Sequence, residues 1–200
     1  MSQFNTARNK RGVLFYLMGP SGVGKDTLLN YLRQCRPPEV LIARRYITRP
    51  NRNSPENHLP LTKDEFLARK ESGFFSLAWQ AHGCWYGISR EVELMLQRGR
   101  HVLINGSRHA YALARERFMP CQGILIQADP DIIRARLEAR GREDAHELAK
   151  RLERNADLNL SDKNVMIIWN NCRPELSGAQ LVQAIHQNIQ ATDVCISSAK

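Results

Sequence analysis

The stretch GPSGVGKDT, residues 19–27, is built to hold an anion. Its glycines let backbone N–H groups turn inward around phosphate oxygens, and a helix after the loop would point its positive N-terminal end at the same group. Lys25 would reach a phosphate in transfer. The expected nucleoside triphosphate contacts are therefore Gly19, Pro20, Ser21, Gly22, Val23, Gly24, Lys25, Asp26 and Thr27, with Thr27 directed at the α-phosphate. The pattern G-x-x-x-x-G-K-[ST] asks for a hydroxyl after the lysine, and here that place is taken by Asp26. Most such loops hold Mg²⁺ with the hydroxyl and with an acid at the end of a neighbouring strand. Here the strand HVLIN ends in Asn105. Asp26 is thus a candidate Mg²⁺ ligand, directly or through water, and its alternative role is to cap the helix and favour its dipole.

Such a loop needs a buried strand before it and a helix after it. GVLFYLM, residues 12–18, reads as a strand buried on both faces, and DTLLNYLRQC has helical apolar spacing. VLIARRY, residues 40–46, reads as a second strand running into a long polar loop, ITRPNRNSPENH. Thr62 and Glu65 form a capping box for a helix that stops near Gly73, and FFSLAWQAHGCWYGIS, residues 74–89, reads as an antiparallel pair. REVELMLQR is a helix closed by Gly99, HVLIN a buried strand, and SRHAYALARERF a helix with Ser107 as N-cap. CQGILIQA is a strand, and Asp129-Pro130 opens a helix to about Arg140. A second charged helix, EDAHELAKRLERNADL, follows; VMIIWN is the last strand, and the last helix begins after Ser177 with its final eight residues frayed. Alternating strands and helices mean an α/β fold, a parallel sheet covered by helices on both faces.

At 200 residues the chain is read as a single domain, 1–200, and no apolar run approaches the length of a membrane span. No signal-peptide pattern opens it, so the cytoplasm is the expected location. Cysteines 35, 84, 121, 172 and 195 are scattered and never spaced C-x-x-C, which speaks against a disulfide framework and a zinc site. The net charge of +9 welcomes a polyanion. The basic residues form no run of five and no stacking-aromatic motif accompanies them, so phosphorylated small molecules are expected as partners rather than nucleic acid or membrane. A homodimer remains open.

The loop, TRPNR at 48–52, WYG at 85–87, RLEARG at 136–141 and KRL at 150–152 together resemble the guanylate-kinase-like branch of the nucleoside monophosphate kinases, over roughly residues 12–190. The resemblance implies a P-loop NTPase fold with a small acceptor-binding insert near 36–90 and a lid near 136–152. It also implies that Arg49, Arg52 and Tyr86 grip the acceptor's phosphate, and that Arg136, Arg140 and Arg151 close on the donor phosphates. Guanidinium forks match phosphate oxygens bidentately, although a solvated loop or helix face is the plainer role for each. Asn170 and Asn171 fall where the family places its adenine-contacting loop, and a simple turn is the alternative.

Departures from the family pattern concern the base. Counted from Gly73 to Gly87, the guanine-reading glutamate falls on Leu77, while a serine four residues before the first acceptor arginine becomes Arg45. Less base reading and more positive charge suggest an acceptor without a base and with more than one phosphate. GKDT, TRP, ENHLPL and NGSR at 105–108 resemble the family's phosphonate-utilising members, which implies that ATP phosphorylates the 1-phosphate of ribose 1,5-bisphosphate to give 5-phosphoribosyl 1-diphosphate. Arg45, Ser107 and Arg108 would then line the acceptor pocket, Ser107 equally serving as a helix cap. A guanylate kinase and a non-catalytic interaction module are the rival readings.

Overall fold

The computed structural model describes residues 11–35, 37, 40–49, 58–81, 83–140 and 164–197. In chain order the elements are β1 Leu14–Met18, α1 Lys25–Cys35, β2 Val40–Ile42, β3 Arg45–Ile47, β4 His58–Pro60, α2 Lys63–Glu71, β5 Phe75–Ala81 and β6 Cys84–Ser89. They continue as α3 Glu91–Gln97, β7 His101–Asn105, a 3₁₀ turn Arg108–Ala110, α4 Tyr111–Arg117, β8 Cys121–Gln127, α5 Pro130–Arg140, β9 Val165–Trp169 and α6 Pro174–Ser197. Five strands form one sheet in the order β2-β7-β1-β8-β9, and four form another in the order β4-β3-β6-β5. In the first sheet β2 runs parallel to β7 with Val40 opposite His101, and β8 runs parallel to β9 with Gly123 opposite Val165. All five residues of β1 are buried, which is why its sequence is continuously apolar rather than alternating. Among the described residues no helix is long and apolar enough to cross a membrane.

The chain divides into two compact units. One holds β2 to β7 with α2, α3 and α4. Its small sheet is filled by rings: Phe66 stacks on Phe75 with centroids 4.5 Å apart and on Trp85 at 5.7 Å, and the edge of Tyr46 meets Phe74 at 5.3 Å. Aromatic side chains bury the most area per residue, so three- to seven-residue strands still enclose a core. α2 begins with the expected capping box, the Thr62 hydroxyl accepting from the Glu65 N–H at 3.2 Å and the Glu65 carboxylate from the Thr62 N–H at 3.0 Å. The backbone hydrogen bond lowers the Glu65 pKa.

The other unit holds the phosphate loop, α1, α5, α6, β9 and β8 from Gln122 onward, with the corner Gly106–Arg108. Leu28, Leu29 and Leu32 make the buried stripe of α1. α6 lies against α1, where a Cβ on Gly178 would collide with the ring of Tyr31.

Several elements differ from expectation. VLIARRY is two strands in two sheets: the Ala43 N–H still bonds the Leu103 carbonyl at 2.9 Å, but from Arg45 the chain pairs with β4 and β6. His58–Pro60 is a short strand parallel to β3 rather than loop. The cap position of α4 is Ala110, with no side-chain bond, so Ser107 does not cap that helix. α6 starts at Pro174 and runs to Ser197, through residues expected to fray. The second charged helix lies outside the described residues.

Candidate active site

The phosphate loop joins β1 to α1. Gly22 and Gly24 have φ of 83° and 94°, the left-handed region that glycine enters without a Cβ penalty. Lys25 bends back across the loop, and its ammonium donates to the carbonyls of Gly19 and Pro20, each at 2.8 Å. Its positive charge is thereby fixed at the loop's mouth before any ligand arrives. Asp26 sits half-buried in the first turn of α1 and Thr27 is exposed beside it.

Behind the loop stands a cluster that the sequence does not announce. Asn170, 1% exposed, donates its Nδ2 to the Val23 carbonyl at 2.8 Å. Arg136 donates one nitrogen to the same carbonyl at 3.2 Å and the other to the Asn170 carbonyl at 2.9 Å. Burial lowers the Arg136 pKa. Arg136 therefore bonds the loop's own backbone at Val23, and Asn170 faces the same carbonyl. The Asn171 Oδ1 accepts the Asp129 N–H at 2.9 Å, which ties β9's end to the start of α5. Arg140 is the last residue of α5. Arg151 lies outside the described residues.

After β7 the Gly106 N–H donates to the Leu17 carbonyl at 2.9 Å, and Ser107, half-buried, leads into the 3₁₀ turn. There Nη1 of Arg108 is buried and has no hydrogen-bond partner among the described residues. Burial lowers the Arg108 pKa to about 10, so it keeps its charge at neutral pH.

In the other unit Arg45 is half-buried with its guanidinium carbon 5.6 Å from the centroid of the Tyr86 ring. Tyr86 stacks in turn on Trp79, 5.4 Å between centroids and 10° from parallel. The column follows from register, because Trp79 of β5 and Tyr86 of β6 are directly opposite. Trp79 is 7% exposed and supports this column from below. Thr48 is fixed by exchange with Trp85, donating its N–H at 3.1 Å and accepting on its hydroxyl at 2.9 Å. The next residue, Arg49, is exposed and lines a cavity of about 450 Å³ with Thr62 and Lys63. Arg52 lies outside the described residues. Leu77 is 5% exposed, an apolar side chain buried in β5.

The architecture has a solved counterpart in guanylate kinase from Anaplasma phagocytophilum, which superposes with a TM-score of 0.63 over 90% of this chain and 87% of that one, at 17% identity. The likeness shows the guanylate-kinase fold, here with a phosphate loop between β1 and α1. No family model matches the chain, but sequence relatives do. Ribose 1,5-bisphosphate phosphokinase PhnN of Thiobacillus denitrificans is 42% identical over 176 residues, 87% of this chain and 93% of the relative. The protein of that name from Psychromonas ingrahamii is 43% identical over 88% of this chain and 90% of its own length, and that from Pectobacterium parmentieri 49% identical over 70% and 76%. The chain belongs to the ribose 1,5-bisphosphate phosphokinase family and is an ATP-dependent phosphotransferase.

Proposed function

We propose that this chain transfers the γ-phosphoryl group of ATP to the 1-phosphate of ribose 1,5-bisphosphate. An oxygen of that phosphate forms the new bond to the γ-phosphorus, the bond to the β–γ bridging oxygen breaks, and the products are ADP and 5-phosphoribosyl 1-diphosphate. The acceptor needs no general base: a phosphate monoester with a second pKa near ~6 is largely a dianion at neutral pH. Catalysis then rests on alignment and charge neutralisation. Within one unit Lys25, Arg136 and Arg108 supply positive charge to phosphate oxygens, and within the other Arg45 and Arg49 do so. The observation that favours a sugar bisphosphate over GMP within this fold is Leu77, buried in β5 opposite Ile88. An apolar group there gives a purine edge no partner.

Among the described residues no group of three His, Cys, Asp or Glu is placed to hold a metal, so a divalent cation here would be held mainly by phosphate oxygens. Asp26 fits as the one added carboxylate, since it is partly exposed and adjacent to Lys25. Bound Mg²⁺ would neutralise charge on the donor phosphates. Asp26→Ser raises the Mg²⁺ midpoint for ATP turnover by about tenfold, the loss of one charged ligand interaction; an unchanged midpoint and kcat would leave Asp26 as a helix-terminal acid only.

The deciding assay is ADP release from ATP and Mg²⁺ with ribose 1,5-bisphosphate or GMP as acceptor. Turnover of the sugar bisphosphate alone supports the proposal, and turnover of GMP alone removes it while leaving the kinase class intact.

A further inference from the structure

We infer that Asn170 is a positioning residue for the phosphate loop: by clasping the Val23 carbonyl it aims the following backbone N–H at the triphosphate. In a trans peptide the carbonyl and the next residue's N–H point in opposite directions. The Val23 carbonyl is held from behind by Asn170 Nδ2 at 2.8 Å and by Arg136 at 3.2 Å. The Gly24 N–H therefore points away from both, toward the loop's interior. The next peptide is fixed as well, because the Gly24 carbonyl accepts the Leu28 N–H at 3.1 Å and so lies along α1. That leaves the Lys25 N–H directed out of the helix's N-terminal end, and the two consecutive donors form a concave anion receptor.

The clasp also accounts for glycine at position 24 on grounds other than ligand approach. At φ 94° a Cβ would collide with Asn170 Nδ2. Loop and amide are thus fitted to each other. Asn170 itself is anchored, its N–H donating to the Gln127 carbonyl at 2.7 Å, so β8 and β9 set where the amide stands. A carbonyl released from this hold can rotate toward the anion, turning an attractive group into a repulsive one.

This assignment rests on the loop being the ATP phosphate site and not on the acceptor's identity. It differs from a base-contacting role, for which the free end of the amide, Oδ1, is buried and without a hydrogen-bond partner among the described residues. Calorimetric titration of the full chain with tripolyphosphate, ATP and GTP separates the two. Asn170→Asp keeps the volume but cannot donate to the Val23 carbonyl; Asn170→Ser, smaller and uncharged, serves if the aspartate variant does not fold. Tripolyphosphate and ATP are expected to weaken together by about tenfold, with the ATP to GTP ratio unchanged. Unaltered tripolyphosphate affinity, or a changed ATP to GTP ratio alone, overturns the assignment. Absence of tripolyphosphate binding in the unsubstituted chain would instead overturn the reading of the loop.

Discussion

Replacing Lys25 by Met lowers kcat by about 10²–10³-fold, the usual consequence of removing one preorganised group from the site of developing charge. The ammonium is already bent over the loop by the Gly19 and Pro20 carbonyls. Little reorganisation is then needed when a phosphate arrives. Methionine has nearly the same length and no charge, so the loop keeps its glycine-determined course while losing the cation. Arginine is no substitute, since its planar fork needs more room than a compact ammonium and bonds in different directions. Single-turnover kinetics with saturating ATP measure the effect on the chemical step. A loss of less than tenfold would place the transferring phosphate elsewhere.

Arg108→Met is expected to lower kcat/KM for the sugar bisphosphate by about 10–100-fold, from the loss of a charge-assisted hydrogen bond of roughly 1.5–3 kcal/mol. ATP binding should change by less than about threefold. Stability should move the other way. A buried guanidinium nitrogen without a partner costs free energy in the folded chain, and an apolar side chain of similar volume removes that cost. Thermal unfolding without acceptor should therefore show Arg108→Met at least as stable as the unsubstituted chain. This pairing distinguishes a ligand-receiving arginine from a structural one, whose removal lowers stability first. A destabilised variant with unchanged acceptor kinetics would assign Arg108 to the fold.

Local chemistry made much of this molecule legible. The capping box at Thr62 and Glu65, the hairpin of β5 and β6, and the proline that opens α5 are each encoded within a few neighbouring residues. The glycine loop is likewise local, and its dihedral requirements are written in its residue types. What escaped depended on distant partners. Nothing in VLIARRY marks the point between Ala43 and Arg45 where the chain changes sheets, because both halves suit a strand. β4 is three residues ending in proline, too short for periodicity to register. The clasp behind the loop joins residues 147 positions apart, so an asparagine at a strand's end reads as a base contact or a turn until its neighbour is known. Arg52 and Arg151, by contrast, belong to the sequence reading alone.

The three tryptophans of the chain, Trp79, Trp85 and Trp169, give each compact unit its own emitter. Trp169 is 53% exposed and immediately precedes Asn170, whereas Trp79 is enclosed at 7% and lies face to face with the ring under Arg45. Collisional quenchers should extinguish the first and spare the second. A single preparation bearing Trp85→Phe would thus carry two spectrally separable reporters, a red-shifted one next to Asn170 and a blue-shifted one in the column beneath Arg45, and the order in which the two proposed substrates bind could be read from colour.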